Sequence, residues 1–359
     1  MNPESPVQTG IFRHARTLRG VRIAGVAVVA AGALALAGCS SGSSSSGSSG
    51  GNGKVAVVIK GLDNPFFQTM ESGVKDGASA DGVSAEIQAA QSITDTTGQA
   101  DKLSALASQD YSCFVVNPIS GTNLIQGIAQ LAAKKKTIVN IDSPVDAAAA
   151  KSANATIATY IGTDNVAAGK LGGTEMVKLL SSGGSVAAIG GTAGDVTSGN
   201  RITGFQQGIA SAGNVKLIQT VAANWDRQEA LTQAQTILRA HPDLAGFFVA
   251  NDDMAIGVAR AVAAAGKTGT VKIISVDGIK DALTAVKQGQ LSAVVAQYPY
   301  VIGKMGIEAC KAADAGKTLP STVSAPVELV TQADADKALA ATPKPFGSYD
   351  DPFTALSGQ

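Results

Sequence analysis

From Lys54 onward, short apolar runs alternate with longer segments in which apolar positions recur every three or four residues. The runs 55–59, 113–117, 137–141, 185–189, 246–250 and 271–276 hold few polar positions, the pattern of strands buried on both faces. Between them, Leu124, Ile128, Leu131 and Ala132 share one helical face, as do Leu231, Ala234 and Leu238. Strands alternating with helices predict βαβ units, an α/β fold of parallel sheets covered by helices on both sides. One continuous sheet would need about a dozen strands, more than a compact open sheet holds, so two sheets of about six fit better. The turn-rich stretch 162–165 is a candidate crossing between them. The helix 302–316 and the strand 327–330 come late enough to return to an earlier lobe.

The first 53 residues break this pattern. Arg13, Arg16, Arg19 and Arg22 precede an apolar run over 23–37, and Leu36-Ala37-Gly38 leads into Cys39. That is a charged n-region, a signal-length h-region and a small-residue cleavage site, shorter than the ~20 apolar residues of a membrane span. Leu-Ala-Gly-Cys resembles a bacterial lipobox, whose cysteine is diacylated and becomes the new N-terminus. Two acyl chains anchor a protein stably. An ordinary secretory signal with a coincidental cysteine is the alternative. The remainder of 39–53 is nearly all serine and glycine, a flexible tether. Residues 1–38 are thus expected to be removed, leaving a protein held to the extracytoplasmic face of the cell membrane through acylated Cys39.

Setting aside Arg13, Arg16, Arg19, Arg22 and Glu4 leaves 24 basic against 27 acidic residues, so no basic patch argues for nucleic acid. With His14 in the leader, His241 is the one histidine that remains. A histidine-dependent nucleophile or a histidine-rich zinc site is hard to build from that inventory. Cys113 and Cys310 either pair in the oxidising exterior or stay as two buried thiols.

Ligands of open α/β sheets sit beyond the carboxyl ends of the strands. The polar and aromatic residues there are Lys60, Asn64, Phe66, Phe67, Asp142, Arg201, Trp225, Asn251, Asp277 and Gln297. They contain no nucleophile–base pair. They do contain rings to stack on the C–H face of a sugar, with carboxylates, amides and cations for its hydroxyls. Asn64 and Pro65 fit the start of a helix. Because adjacent helical residues point about 100° apart, only one of Phe66 and Phe67 is expected at the centre of the packed stripe. Trp225, at a strand–helix junction, is either a core residue or, the preferred reading, a stacking platform. Asp142 and Asp277 either cap the next helices or accept hydroxyls, and Lys60 is either a solvated strand end or a ligand contact. Gly190, Gly191 and Gly194 lack both phosphate-loop and dinucleotide spacing, so nucleotide binding is not expected. Asp252-Asp253 and Asp350-Asp351 lack the ligand pattern of a calcium loop, and no metal or cofactor is expected.

Several motifs carry a resemblance over 55–330: Asn64-Pro65-Phe66-Phe67, Asn117-Pro118, Val139-Asn140-Ile141-Asp142, Thr163-Asp164-Asn165, Asn224-Trp225-Asp226-Arg227, Asn251-Asp252-Asp253-Met254-Ala255, Val276-Asp277-Gly278 and Ala296-Gln297. They resemble the periplasmic sugar-binding proteins of ABC transporters, in the ribose, allose and galactose group. The resemblance implies a type I periplasmic-binding-protein fold, two doubly wound parallel-sheet lobes joined by a three-strand hinge. By analogy the first lobe is 54–163 plus 297–326 and the second 164–296 plus 327–340. The tail 341–359 is expected to be loosely attached. The resemblance also implies sugar contacts at Asn64, Phe67, Asp142, Arg201, Trp225, Asn251, Asp277 and Gln297, with Phe66 in the aromatic wall. Lys60 and Trp225-Asp226-Arg227 look like allose binders, and Ser143 stands where ribose binders carry an arginine. The implied protein is a monomeric receptor that holds a pyranose hexose such as allose, or a related sugar or polyol, and passes it to an ABC permease. Its rivals are a receptor of the same fold signalling to a membrane sensor, and a carbohydrate hydrolase using Asp142 and Asp277.

Overall fold

The computed structural model describes residues 53–357; the leader, Cys39 and all but the last residue of the tether lie outside the described residues. The strands form two six-stranded sheets. The first holds β1 (Lys54–Ile59), β2 (Ser84–Ala89), β3 (Cys113–Val116), β4 (Thr137–Ile141), β5 (Thr159–Gly162) and β11 (Thr322–Ser324), in the order β11-β5-β4-β3-β1-β2. The second holds β6 (Gly184–Gly190), β7 (Val215–Ala222), β8 (Gly246–Val249), β9 (Lys272–Asp277), β10 (Ala293–Gln297) and β12 (Val327–Thr331), in the order β12-β10-β9-β8-β6-β7. Every pairing is parallel except that of β10 with β12. The first-sheet helices are α1 (Pro65–Asp81), α2 (Thr96–Ala107), α3 (Ile125–Ala133), α4 (Ala147–Ser152) and α10 (Pro299–Asp314). Those of the second sheet are α5 (Asn165–Leu179), α6 (Val196–Ala210), α7 (Arg227–Ala240), α8 (Asp252–Ala264), α9 (Lys280–Lys287) and α11 (Ala335–Ala341). A last helix, α12 (Pro352–Ser357), closes the described chain.

The apolar runs foretold β1, β3, β4, β6, β8 and β9, each within one or two residues. β2 and β7 are missing from that reading because they are edge strands whose exposure alternates, so neither forms an apolar run. β10 is a run of four apolar residues ending in Gln297 that periodicity cannot separate from helix, and β5 and β11 are no longer. The chain leaves the first sheet between β5 and α5, returns between β10 and α10, and crosses once more between β11 and β12.

Two features of packing position the site. α5 and α6 meet almost backbone to backbone at Gly169, Gly173, Gly204 and Gly208, where a Cβ would fall 1.9–2.5 Å from a backbone atom of the facing helix. Only glycine permits that approach, and it sets Arg201 of α6 beside Asn165 of α5. In the first lobe, Met305 and Ile307 of α10 share a core with Val55, Val57 and Met70. Cys310 of α10 is disulfide-bonded to Cys113 at the start of β3, with Cα atoms 5.7 Å apart and both residues fully buried.

The C-terminal tail is not loosely attached. Phe353 is fully buried in the first-lobe core, and Lys304 of α10 lies 3.3 Å from Asp351. A proline- and aspartate-rich composition disguised one aromatic anchor with a complementary charge beside it. No helix among the described residues is long and apolar enough to cross a membrane.

Candidate ligand-binding site

Beyond the carboxyl ends of both sheets lies a cavity of about 360 Å³ whose wall comes from both lobes. Nine of the ten residues singled out in the sequence line it: Lys60, Asn64, Phe66, Phe67 and Asp142 from the first lobe, and Arg201, Trp225, Asn251 and Asp277 from the second. Gln297 is not in the wall. Its Nε2 donates to Asp277 Oδ1 at 2.7 Å, and its buried Oε1 has no protein partner.

Phe66 and Phe67 both line the cavity and both belong to the first-lobe core, which corrects the expectation that only one packs centrally. They occupy the first turn of α1, where core and cavity adjoin, and meet edge to face with centroids 5.2 Å apart. Lys60 Nζ stands 5.4 Å from the Phe67 ring centroid. Burial lowers its pKa, opposed chiefly by the charge of Asp142. On the other wall Trp225 stands 6.0 Å from the Arg201 guanidinium carbon. The indole has room only because residue 191 is glycine, since a Cβ there would fall 2.1 Å from the ring.

The two asparagines are more constrained than their side-chain chemistry alone implies. Asn64 Oδ1 accepts from Phe66 N at 2.9 Å and Asn251 Oδ1 from Met254 N at 3.0 Å, capping α1 and α8. Each therefore brings its Nδ2 to the cavity as a donor. Neither candidate aspartate is a cap: Asp146 caps α4, and α9 starts from Ile279 without a side-chain cap. Asp142 Oδ2 accepts from Ser143 Oγ at 3.1 Å, and its carbonyl accepts from the Tyr160 hydroxyl at 2.6 Å. Burial raises the pKa of that tyrosine, which stays a donor. Asp142, Trp225 and Asp277 have φ of 59°, 62° and 141°. Such conformations cost about 1–3 kcal/mol each and gather at functional sites.

Arg201 is fixed on three sides. Its Nε donates to Asn165 Oδ1 at 2.8 Å, and Nη1 donates to Ala250 O at 2.6 Å and to Asp277 Oδ1 at 3.1 Å. Burial pushes the Asp277 carboxyl up to about 6, although Arg201 and Gln297 pull it down. Behind it Asp252 is fully buried. Its Oδ2 accepts from Gly278 N and Ile279 N at 2.7 and 2.9 Å, and its Oδ1 from Ser275 Oγ at 2.5 Å. Burial, with the charge of Asp277, raises the Asp252 carboxyl well above its ordinary range.

Sequence reasoning assigned no site role to Asp252 or Asn165, which hold Asp277 and Arg201 in place, nor to the loop of Thr192, Ala193, Gly194 and Asp195 that also lines the cavity. In the sequence Asp252 reads only as half of a carboxylate pair. Its neighbour Asp253 turns away to accept from Arg227 Nη2 at 2.6 Å. The available signal was position, since Asp252 directly follows the apolar run 246–250 and Asn251.

The profile of the periplasmic binding protein domain matches residues 55–318. The chain belongs to that family. A D-allose-binding periplasmic protein of Escherichia coli is 38% identical over 267 residues, covering 74% of this chain and 86% of the relative. The ribose import binding protein of Bacillus subtilis is 31% identical over 278 residues, 77% of this chain and 87% of that protein. The crystal structure of an Actinobacillus succinogenes periplasmic solute-binding protein of an ABC transporter, with bound D-allose, superposes with a TM-score of 0.75 at 26% identity. That match covers 79% of this chain and 99% of the other. Like other periplasmic binding proteins of type I, this one has two parallel-rich α/β sheets with alternating helices and acts outside the cytoplasm.

Proposed function

We propose that this protein is a receptor, anchored through lipid on Cys39, that encloses one monosaccharide between its lobes and delivers it unaltered to an ABC permease. The observation that carries this is the cavity itself. Its volume of about 360 Å³ falls in the range of small-molecule pockets, and opposing lobes supply the rings, amides and charged groups around it. Members of the same family named for allose and ribose support a neutral sugar as ligand. Lys60 and Ser143 in the wall favour a pyranose hexose such as allose over ribose. The ligand contacts are Lys60, Asn64, Phe66, Phe67, Asp142, Arg201, Trp225, Asn251 and Asp277, while Gln297 stands behind the wall and orients Asp277.

The chemistry is that of capture. A pyranose between Phe67 and Trp225 stacks its C–H faces on the rings, while its hydroxyls meet Asp142 on one lobe and Asp277 and Arg201 on the other. Neither lobe alone supplies both sets, so the ligand has greater affinity for the closed form and shifts the population toward it. Exclusion of water strengthens the charged hydrogen bonds. The closed receptor, a monomer on its tether, is what the permease recognises. A thermal-shift panel of pentoses, hexoses and polyols tests this, because a ligand that binds only the folded state raises the melting temperature. D-allose is expected to give the largest shift. A panel with no shift at millimolar sugar would overturn the proposal.

The pH dependence has a definite sign. Asp277 has a raised carboxyl in the free protein, and hydroxyls donating to it favour the ionised form. Binding therefore lowers that pKa and releases a proton, and affinity falls as pH drops through about 6. The decline approaches tenfold per pH unit at most. Calorimetry between pH 7.5 and 5, in buffers of different ionisation enthalpy, measures both the affinity and the proton released. A flat profile would exclude Asp277 as a hydroxyl acceptor.

A further inference from the structure

We infer that residues 342–351 form a fourth connection between the lobes, with Glu328 as the residue that positions it. α11, before this segment, packs on α9 and β12 of the second lobe, with Ala335 in the core beside Val286, Leu291 and Val294 and Ala338 reaching the cluster that also holds Phe353. α12, after it, belongs to the first, where Phe353 is fully buried in the core with Met70, Val74 and Met305. The chain therefore crosses once more after β12, beyond the three crossings that the sheet topology requires.

The fourth crossing is tied to the others at one carboxylate. Glu328 follows the first residue of β12, just past the third crossing. Its Oε1 accepts from Gly347 N at 2.8 Å and its Oε2 from Phe346 N at 3.3 Å. The same Oε2 accepts from the hydroxyl of Tyr298, the first residue after β10 and so part of the second crossing. Lys344 adds a contact to the first lobe, its Nζ 5.6 Å from the Tyr300 ring centroid. Only Ser348, Tyr349 and Asp350 separate the Gly347 anchor from Asp351, which is held by Lys304. Three intervening residues let those anchors move no more than about 14 Å apart.

Lobes joined by short linkers move relative to one another by default. A short strap fixed at both ends excludes the widest openings, leaving a larger share of molecules near the geometry that binds. Apparent affinity scales with that share. The strap does not depend on which ligand is held; only the affinity readout rests on the sugar-binding proposal.

The test uses the full mature chain with a specific protease site inserted at the exposed Ser348, cut after folding. Small-angle scattering of the ligand-free protein is the first readout. The cut protein is expected to show a larger radius of gyration than the uncut one, and D-allose is expected to bind it about tenfold more weakly. Glu328→Ala should open the lobes similarly, and Glu328→Gln, which keeps an acceptor, should do so less. Scattering needs no sugar, so a protein that ignores D-allose but expands on cutting refutes the sugar and keeps the strap. Identical scattering before and after the cut overturns the strap. A Glu328→Ala variant with a lower melting temperature and unchanged scattering overturns the positioning role of that carboxylate.

Discussion

Asp277→Ala is expected to abolish D-allose binding while leaving a folded protein. In the free receptor Asp277 is a buried carboxylate whose pKa burial has raised, so its charge is no asset to the ligand-free fold. Removing it leaves Arg201 with its bonds to Asn165 and to the Ala250 carbonyl. The bound state loses more. Asp277 is the acceptor that Arg201 and Gln297 orient, and truncating one member of a buried, hydrogen-bonded charge pair costs a complex about 2–5 kcal/mol. That corresponds to a roughly 30- to 5,000-fold weaker Kd. Arg201→Ala should lose binding to a similar degree, and each substitution also costs some stability, because it strips a buried charge of its partner. Calorimetry with D-allose, alongside circular dichroism of each variant, separates these effects. Wild-type affinity in Asp277→Ala would mean that the ligand does not sit where the cavity places it.

What the sequence disclosed about this site, and what it hid, divides along a physical line. Residues that act by lying at the end of a buried strand were legible, because a run such as 272–276 ends in Asp277 and a run such as 137–141 in Asp142. Their neighbours across the sheet were not. Asp252 is close to the Asp277 turn because β8 pairs with β9, and Asn165 reaches Arg201 because glycines bring α5 and α6 together. Those are tertiary facts: position near a strand end marks Asp252, but nothing local shows what it or Asn165 holds. The asparagines show the same boundary from the other side. Asn64 was readable as a cap and as a ligand contact, yet only the structure shows its oxygen engaged by the helix, so that the amide nitrogen serves the cavity. The tail was misread for a related reason. Phe353 has a pocket only once α10 has crossed back to the first lobe. Edge strands β2 and β7 escaped because one face meets water and breaks the apolar run.

The double variant Cys113→Ala, Cys310→Ala is expected to lose about 3 kcal/mol of stability and keep its affinity for D-allose. The bond joins residues 197 apart, a span that includes the second lobe from α5 to β10. Without it the unfolded chain regains a large loop's freedom, and α10 is no longer fastened to the sheet it must rejoin after crossing back. For a lobe of this size the loss amounts to roughly 10 °C in melting temperature. Alanine at both fully buried positions avoids leaving an unpaired polar group. The affinity should hold because Cys113 opens β3, whereas the cavity lies beyond the carboxyl ends of the strands. Calorimetric melting of the two proteins with and without reductant, and D-allose titration below both transitions, measure the two effects separately. Equal melting temperatures would show that packing of α10 against α1 alone secures the first lobe. A collapse in affinity at full folding would show instead that the disulfide shapes the cavity through α10.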